Sequence, residues 1–174
     1  MSSAQTIIAF AVALLAASSP AANAAGSPAD RAFVAKVSQG GMFEVQAGKL
    51  ADQKGSTPDI RDFGAMEAHD HMPVGEKLKA VAGREGISFG SDLNPQFAGK
   101  LAHLKSMSGP AFDAAYMEQM SAIHAADGAA FAKEARDGGS ADFRAFAAET
   151  YVIVQRHIGA IHAAPPRQVA RPQT

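Results

Sequence analysis

The stretch EAHDHM, Glu67 to Met72, sets a carboxylate and an imidazole four residues apart with a second carboxylate, Asp70, between them. On a helix that spacing puts Glu67 and His71 on one face, a turn apart, where an oxygen and a nitrogen can reach each other or a shared ion. Imidazole together with carboxylate suits zinc, copper, iron or manganese. Glu44, His124 and His157 supply the same chemistry elsewhere, and each falls inside a stripe of apolar residues at three- and four-residue spacing. Glu44 lies among Phe33, Val37, Gly48 and Ala51. Glu67 and His71 lie near Ile60, Val74 and Leu78. His124 shares its stripe with Met120, Ile123 and Phe131, and His157 stands between Val154 and Ile161.

A charge in an apolar core costs several kcal/mol unless it is paired or bound to a metal. Two readings answer that cost. One is a transition-metal site of Glu44, Glu67, His71, His124 and His157, with Asp70, Asp113, Tyr116 and Asp127 around it. The other is a buried polar network in which carboxylates satisfy the histidines and lend register to an Ala-rich core.

Several chemistries are excluded or disfavoured. The chain has no cysteine, so thiolate sites, thiol catalysis and disulfides are ruled out. A di-iron carboxylate centre needs Glu-x-x-His on two helices; Glu67 is followed at that spacing by Asp70, and Val154 precedes His157. His69 and His103 are expected in solvent, and His162 in a helix-terminal turn. The methionines are dispersed over several faces, which favours packing over a copper site. Ser121 has no legible base, and Gly40-Gly41 opens no phosphate loop. Gly41 and Gly48 are expected to permit close helix approach.

The elements that must position these groups are helices, since Ala, Glu, Lys, Gln and Met dominate and no alternating β-branched run appears. A first helix runs from about Pro28 to Lys54 and stops at Gly55. A second begins with Thr57 as cap and Pro58 in its first turn, and ends near Gly83 and Gly86. After the loop GISFGSDL comes a short helix opened by Asn94-Pro95. Ser108-Gly109-Pro110 starts a third long helix that stops at Gly138-Gly139. Ser140 starts a fourth, ended by Pro165-Pro166. Two tight turns and one long connection indicate an all-α, ferritin-like antiparallel four-helix bundle with a short extra helix in the crossover. Counting from the turns brings Glu44 level with Glu67 to His71, but leaves His124 and His157 offset by roughly one turn. Pro73, inside the second helix, predicts a kink.

Ahead of the bundle, Ile7 to Ala17 is an apolar run too short to span a membrane, followed by Ala22-Asn23-Ala24. Met1 to Ala24 therefore reads as a signal peptide cleaved after Ala24, although it carries no Lys or Arg, and the expected location is periplasmic or secreted. Residues 25–164 then form one domain, and 165–174 a disordered tail. The formal net charge of −1 argues against nucleic acid as a partner. No transmembrane domain is expected after cleavage; a homo-oligomer or an envelope protein remains open as partner.

The segments FVAKVSQGGMFEVQAGKLA, MEAHDHMPVGEKLKAVA, GPAFDAAYMEQMSAIHAADGAAFAKEA and DFRAFAAETYVIVQRHI together resemble the bacterial secreted family called domain of unknown function 4142, whose members carry an outer-membrane label. The resemblance spans about Ala32 to His162. It implies a ferritin-like bundle in the cell envelope and no established activity. Glu44, Asp70, His71, Asp113, Tyr116, His124 and His157 match the family pattern; Ile123 and Val152 depart from it. The expected function is a non-enzymatic envelope or stress-related binding protein with a transition metal in the bundle core. The alternative is a metal-dependent oxidoreductase of the envelope.

Overall fold

The computed structural model describes residues 26–163, five helices and no strand among them. The signal-peptide and tail expectations fall outside the described residues. Helix α1 spans Pro28–Lys54, α2 Pro58–Arg84, α3 Pro95–Ser106, α4 Gly109–Asp137 and α5 Ala141–Ala163. Their starts follow local chemistry. Ser27 and Asp30 close a capping box, Thr57 accepts from the Ile60 N–H, and Asn94 from the Phe97 N–H. Ser140 accepts from the Phe143 N–H, 3.1 Å away, to open α5. Ser108 makes no such side-chain bond; Gly109, at φ 59, and Pro110 turn the chain into α4 instead.

Helix α2 continues without interruption through Pro73. The proline and His69, whose carbonyl loses its amide partner, both stand on the exposed face, where solvent can satisfy that carbonyl. The expected kink finds no support in this uninterrupted helix.

Helix α1 packs chiefly on α2, and α4 on α5, while α1 also meets α4 and α3, and α2 meets α5. The α1–α2 contact is unusually close. A Cβ on Gly48 would lie 2.7 Å from the Gly64 carbonyl oxygen, and one on Gly64 would lie 2.7 Å from the Gly48 oxygen. The expectation for Gly48 holds, but Gly41 supports no close approach, since nothing lies within 4 Å of its Cβ position.

Two apolar clusters fill the interior. Phe33, Phe131, Phe143 and Phe146 meet edge-on or tilted in one, with Leu78 and Val154. Phe43, Leu104, Phe112, Tyr116 and Met120 form the other. Glu44, Glu67, His71, His124, Asp127 and His157 fall where these two clusters meet along the long helices. Lys54 ties the second cluster shut, donating to the carbonyls of Lys105 (2.9 Å) and Met107 (2.5 Å).

A buried carboxyl pair that the sequence did not suggest lies beside the first cluster. Asp30 accepts from the Gly139 N–H at 2.7 Å and from Ser27 at 3.0 Å. Glu134 lies next to it, and burial followed by Asp30 pushes its carboxyl up to about 7. The folded chain thus holds a proton that the unfolded chain releases above about pH 4.5. The stabilisation is complete below that pH and is lost as pH rises through about 7. Melting temperature is expected to fall between pH 5.5 and pH 8, and Glu134→Gln, measured by circular dichroism, is expected to shrink that fall.

Candidate metal centre

Four helices each contribute to one buried layer. Helix α1 supplies Glu44, α2 supplies Glu67 and His71, α4 supplies His124 and α5 supplies His157; none is more than 4 % exposed. Three rings surround the Glu67 carboxylate. His71 Nε2 lies 3.3 Å from its Oε2, and His124 Nε2 and His157 Nδ1 lie 3.4 and 3.1 Å from its Oε1. His157 Nδ1 is also 3.3 Å from His71 Nε2 and 3.1 Å from His124 Nε2. One donor atom from each of Glu67, His71, His124 and His157 lies within 4.8 Å of the other three.

The outward nitrogen of each ring is already engaged. His124 Nδ1 donates to the Met120 carbonyl at 2.9 Å, and His157 Nε2 to Asp70 Oδ2 at 2.9 Å. His71 Nδ1 faces Glu44 Oε2 at 3.3 Å. Carbonyls and carboxylates only accept, so the protons sit on these outer nitrogens. The inner nitrogens of His124 and His157 stand 3.1 Å apart, so two rings protonated only on their outer nitrogens would set lone pair against lone pair, and a ring protonated on both is a cation facing Glu67. Such a layer calls for a cation, either a proton shared among the rings or a metal ion.

The charges respond accordingly. Burial opposes a charged His71 ring, but Glu44 and then Glu67 outweigh it and raise its pKa to about 9. Burial would raise Glu67, yet His157 and His71 hold it down to about 2. Neither oxygen of Glu67 meets a well-formed hydrogen bond, although three rings stand around it. That misfit is informative: the donor atoms point at a common region and not along one another's bonds.

His124 and His157 meet despite the expected offset. Side chains lean toward the N-terminus of their own helix. Since α4 and α5 fold back on each other at Gly138–Ser140, His124 leans away from that turn and His157 toward it. The two leanings close the gap.

The surrounding candidates divide. Asp70 orients His157 and also pairs with Arg156 and, at 3.0 Å, with His69 Nδ1. Asp127 is buried beside Glu44, and burial first and Glu44 second push its carboxyl above the usual range. Tyr116 is fully buried with its hydroxyl unpartnered, and burial, then Glu67 and Glu44, raise its pKa. Asp113 is not part of this layer. It accepts from the Ser56 N–H at 3.0 Å and from the Ser56 hydroxyl, tying the α1–α2 turn to α4. His69, His103 and His162 are exposed. The Met120 carbonyl and Arg156 were not legible as partners; only their positions, four residues before His124 and one before His157, point to them.

Residues 15–164 match the model of a family described as a domain of unknown function, DUF4142. The chain belongs to that family. This DUF4142 fold is similar to that in a crystal structure of a DUF305 fragment from Deinococcus radiodurans, with a TM-score of 0.67 and 14% identity over 79% of this chain and 95% of that one. At that identity the likeness is one of fold alone. No curated protein matches the sequence. No helix of the described residues is long and apolar enough to cross a membrane.

Proposed function

We propose that this DUF4142 chain is an exported, non-enzymatic metal-binding protein of the cell envelope that holds one transition-metal ion on Glu67, His71, His124 and His157. Zinc is the favoured ion. Glu44, Asp70 and the Met120 carbonyl fix the three rings from outside, and Asp127 and Tyr116 complete the surround. The observation that carries the reading is the commitment of every outer ring nitrogen to an acceptor, which turns the three inner nitrogens toward one another and toward Glu67.

Geometry supports the choice of ion. Tetrahedral ligands at roughly 2.0–2.1 Å from zinc stand about 3.3 Å apart. Five of the separations span 3.1–3.4 Å, His71 being measured to Glu67 Oε2 and the other two rings to Oε1, and one donor atom from each of the four residues lies within 4.8 Å of the rest. Four protein donors, all buried, make a closed set of the kind that holds a structural ion. An oxidoreductase would need an open coordination position, so the binding reading is preferred.

Residue pairs support an antiparallel ferritin-like arrangement of the four long helices. Along α1 and α4, Gly40 with Asp127 is followed by Glu44 with His124; along α2 and α5, Asp70 with Arg156 is followed by Lys77 with Glu149. Export rests on the apolar run before Ala24.

The test is metal content of purified residues 25–174 by mass spectrometry after incubation with zinc, iron, copper or manganese and desalting. One zinc per chain is expected, lost in His71→Ala and His157→Ala. Asp70→Ala is expected to weaken zinc affinity by roughly 10- to 100-fold through loss of the hydrogen bond that orients His157. A wild type that retains no metal, with variants merely less stable, would overturn the proposal in favour of a structural polar network.

A further inference from the structure

A groove of about 630 Å³ opens between α1, α2 and the loop after α2, and its lining includes Glu44, His71 and Asp127. It reaches the outer side of the layer described above, the side on which Glu44 faces the His71 ring.

Two features of the groove have no packing explanation. Gly41 on α1 and Gly75 on α2 both line it, and a Cβ at either would meet no heavy atom within 4 Å. Glycine is the poorest helix former after proline. At Gly40, Gly48 and Gly64 close neighbours at 2.7–2.8 Å account for its use; Gly41 and Gly75 are as open as Gly83, Gly99 and Gly159, and the open space beside these two is the groove. Asp127 is the second feature. It is 5 % exposed, and its carboxylate accepts no hydrogen bond from any described residue. Asp127 lines the groove beside a second buried carboxylate, Glu44, and the two together are a receptor for a cation.

We propose that a divalent metal ion reaches the four-donor centre through this groove, meeting Asp127 and Glu44 first and passing the His71 ring to reach the inner nitrogens. This rests on the proposed metal centre and adds its loading path. The two carboxylates replace part of the ion's water shell before the imidazoles complete the exchange. Side chains at Gly41 and Gly75 would stand in the way.

Loading is measured by stopped flow, mixing the metal-free full mature chain with zinc held by a chromophoric chelator. Gly41→Leu and Gly75→Leu are expected to load at least tenfold more slowly than wild type while still reaching one zinc per chain. Gly159→Leu places the same change on an exposed face of α5 with equally open surroundings, and is expected to load at the wild-type rate. Asp127→Asn is expected to slow loading without blocking the groove. Glycine variants that bind one zinc at the wild-type rate would overturn the path while leaving the centre intact. Asp127→Asn loading at the wild-type rate would overturn the part given to that carboxylate. A wild type that binds no zinc would overturn the centre and the path together.

Discussion

Glu67→Ala is expected to have the largest effect of any single change, and to separate a metal centre from a polar network. The depression of Glu67 to about 2 by its histidine neighbours corresponds to roughly 3 kcal/mol of stabilisation in the metal-free chain. Breaking a buried ion pair by removing one partner costs a similar amount, about 3–5 kcal/mol, because the other charge is left uncompensated. For a domain of this size each kcal/mol moves the melting temperature by about 2–4 °C. The metal-free variant should therefore melt roughly 10 °C below wild type. Zinc should act in the opposite direction on wild type: at about a thousandfold excess over its dissociation constant it adds about 4 kcal/mol, again roughly 10 °C. The variant should gain nothing from zinc. Calorimetry of both proteins with and without zinc reads all four values, and a wild type indifferent to zinc would leave only the network.

Gly64→Ala is expected to damage fold and site together. The added methyl would stand 2.7 Å from the Ala51 Cβ and the Gly48 oxygen, and 2.8 Å from the Asp52 nitrogen. Two of these are backbone atoms of α1, so relief requires the helices to separate. Overpacking of this kind costs about 1–3 kcal/mol, and the rigid backbone neighbours put the cost near the upper end, against roughly 1 kcal/mol returned by alanine's better helix propensity. Glu44 lies one turn before Gly48 and Glu67 three residues after Gly64, so separation draws the Glu44 carboxylate away from His71. Loss of stability should come with weaker zinc binding. Gly41→Ala is the matched control: with open space around it, it should stabilise by up to about 1 kcal/mol in chemical denaturation.

Much of the helical framework was legible because its signals are local. Proline in the first turn, Thr57 and Asn94 as caps, and glycine at the stops act within a few residues, and the helices begin and end close to where those signals stand. The inward faces of Glu44, Glu67, His71, His124 and His157 were legible for a related reason: a helix has one period, and a polar residue in phase with the apolar stripe has to go inside. Asp113 shows where that logic stops. It stands between Phe112 and Tyr116, both fully buried, yet its carboxylate turns aside to the α1–α2 turn, where the Ser56 N–H and hydroxyl donate to it. Gly41 and Gly48 show a second limit. They are alike in sequence, yet one is pressed against a neighbouring backbone and the other faces open space, because a helix pair touches closely only where its axes cross.

By itself the sequence determined that residues 28–163 are helical, where those helices break, and that Glu44, Glu67, His71, His124 and His157 turn inward, since each of these depends on propensity and periodicity within one element. The tertiary structure alone decided that four of those side chains come within reach of one point, and which acceptor holds each ring. The lean of side chains toward their own N-termini, the close α1–α2 crossing at Gly48 and Gly64, and the Met120 carbonyl and Asp70 carboxylate set those distances. Such separations of about an ångström arise between elements, where no residue's neighbours in the chain record them.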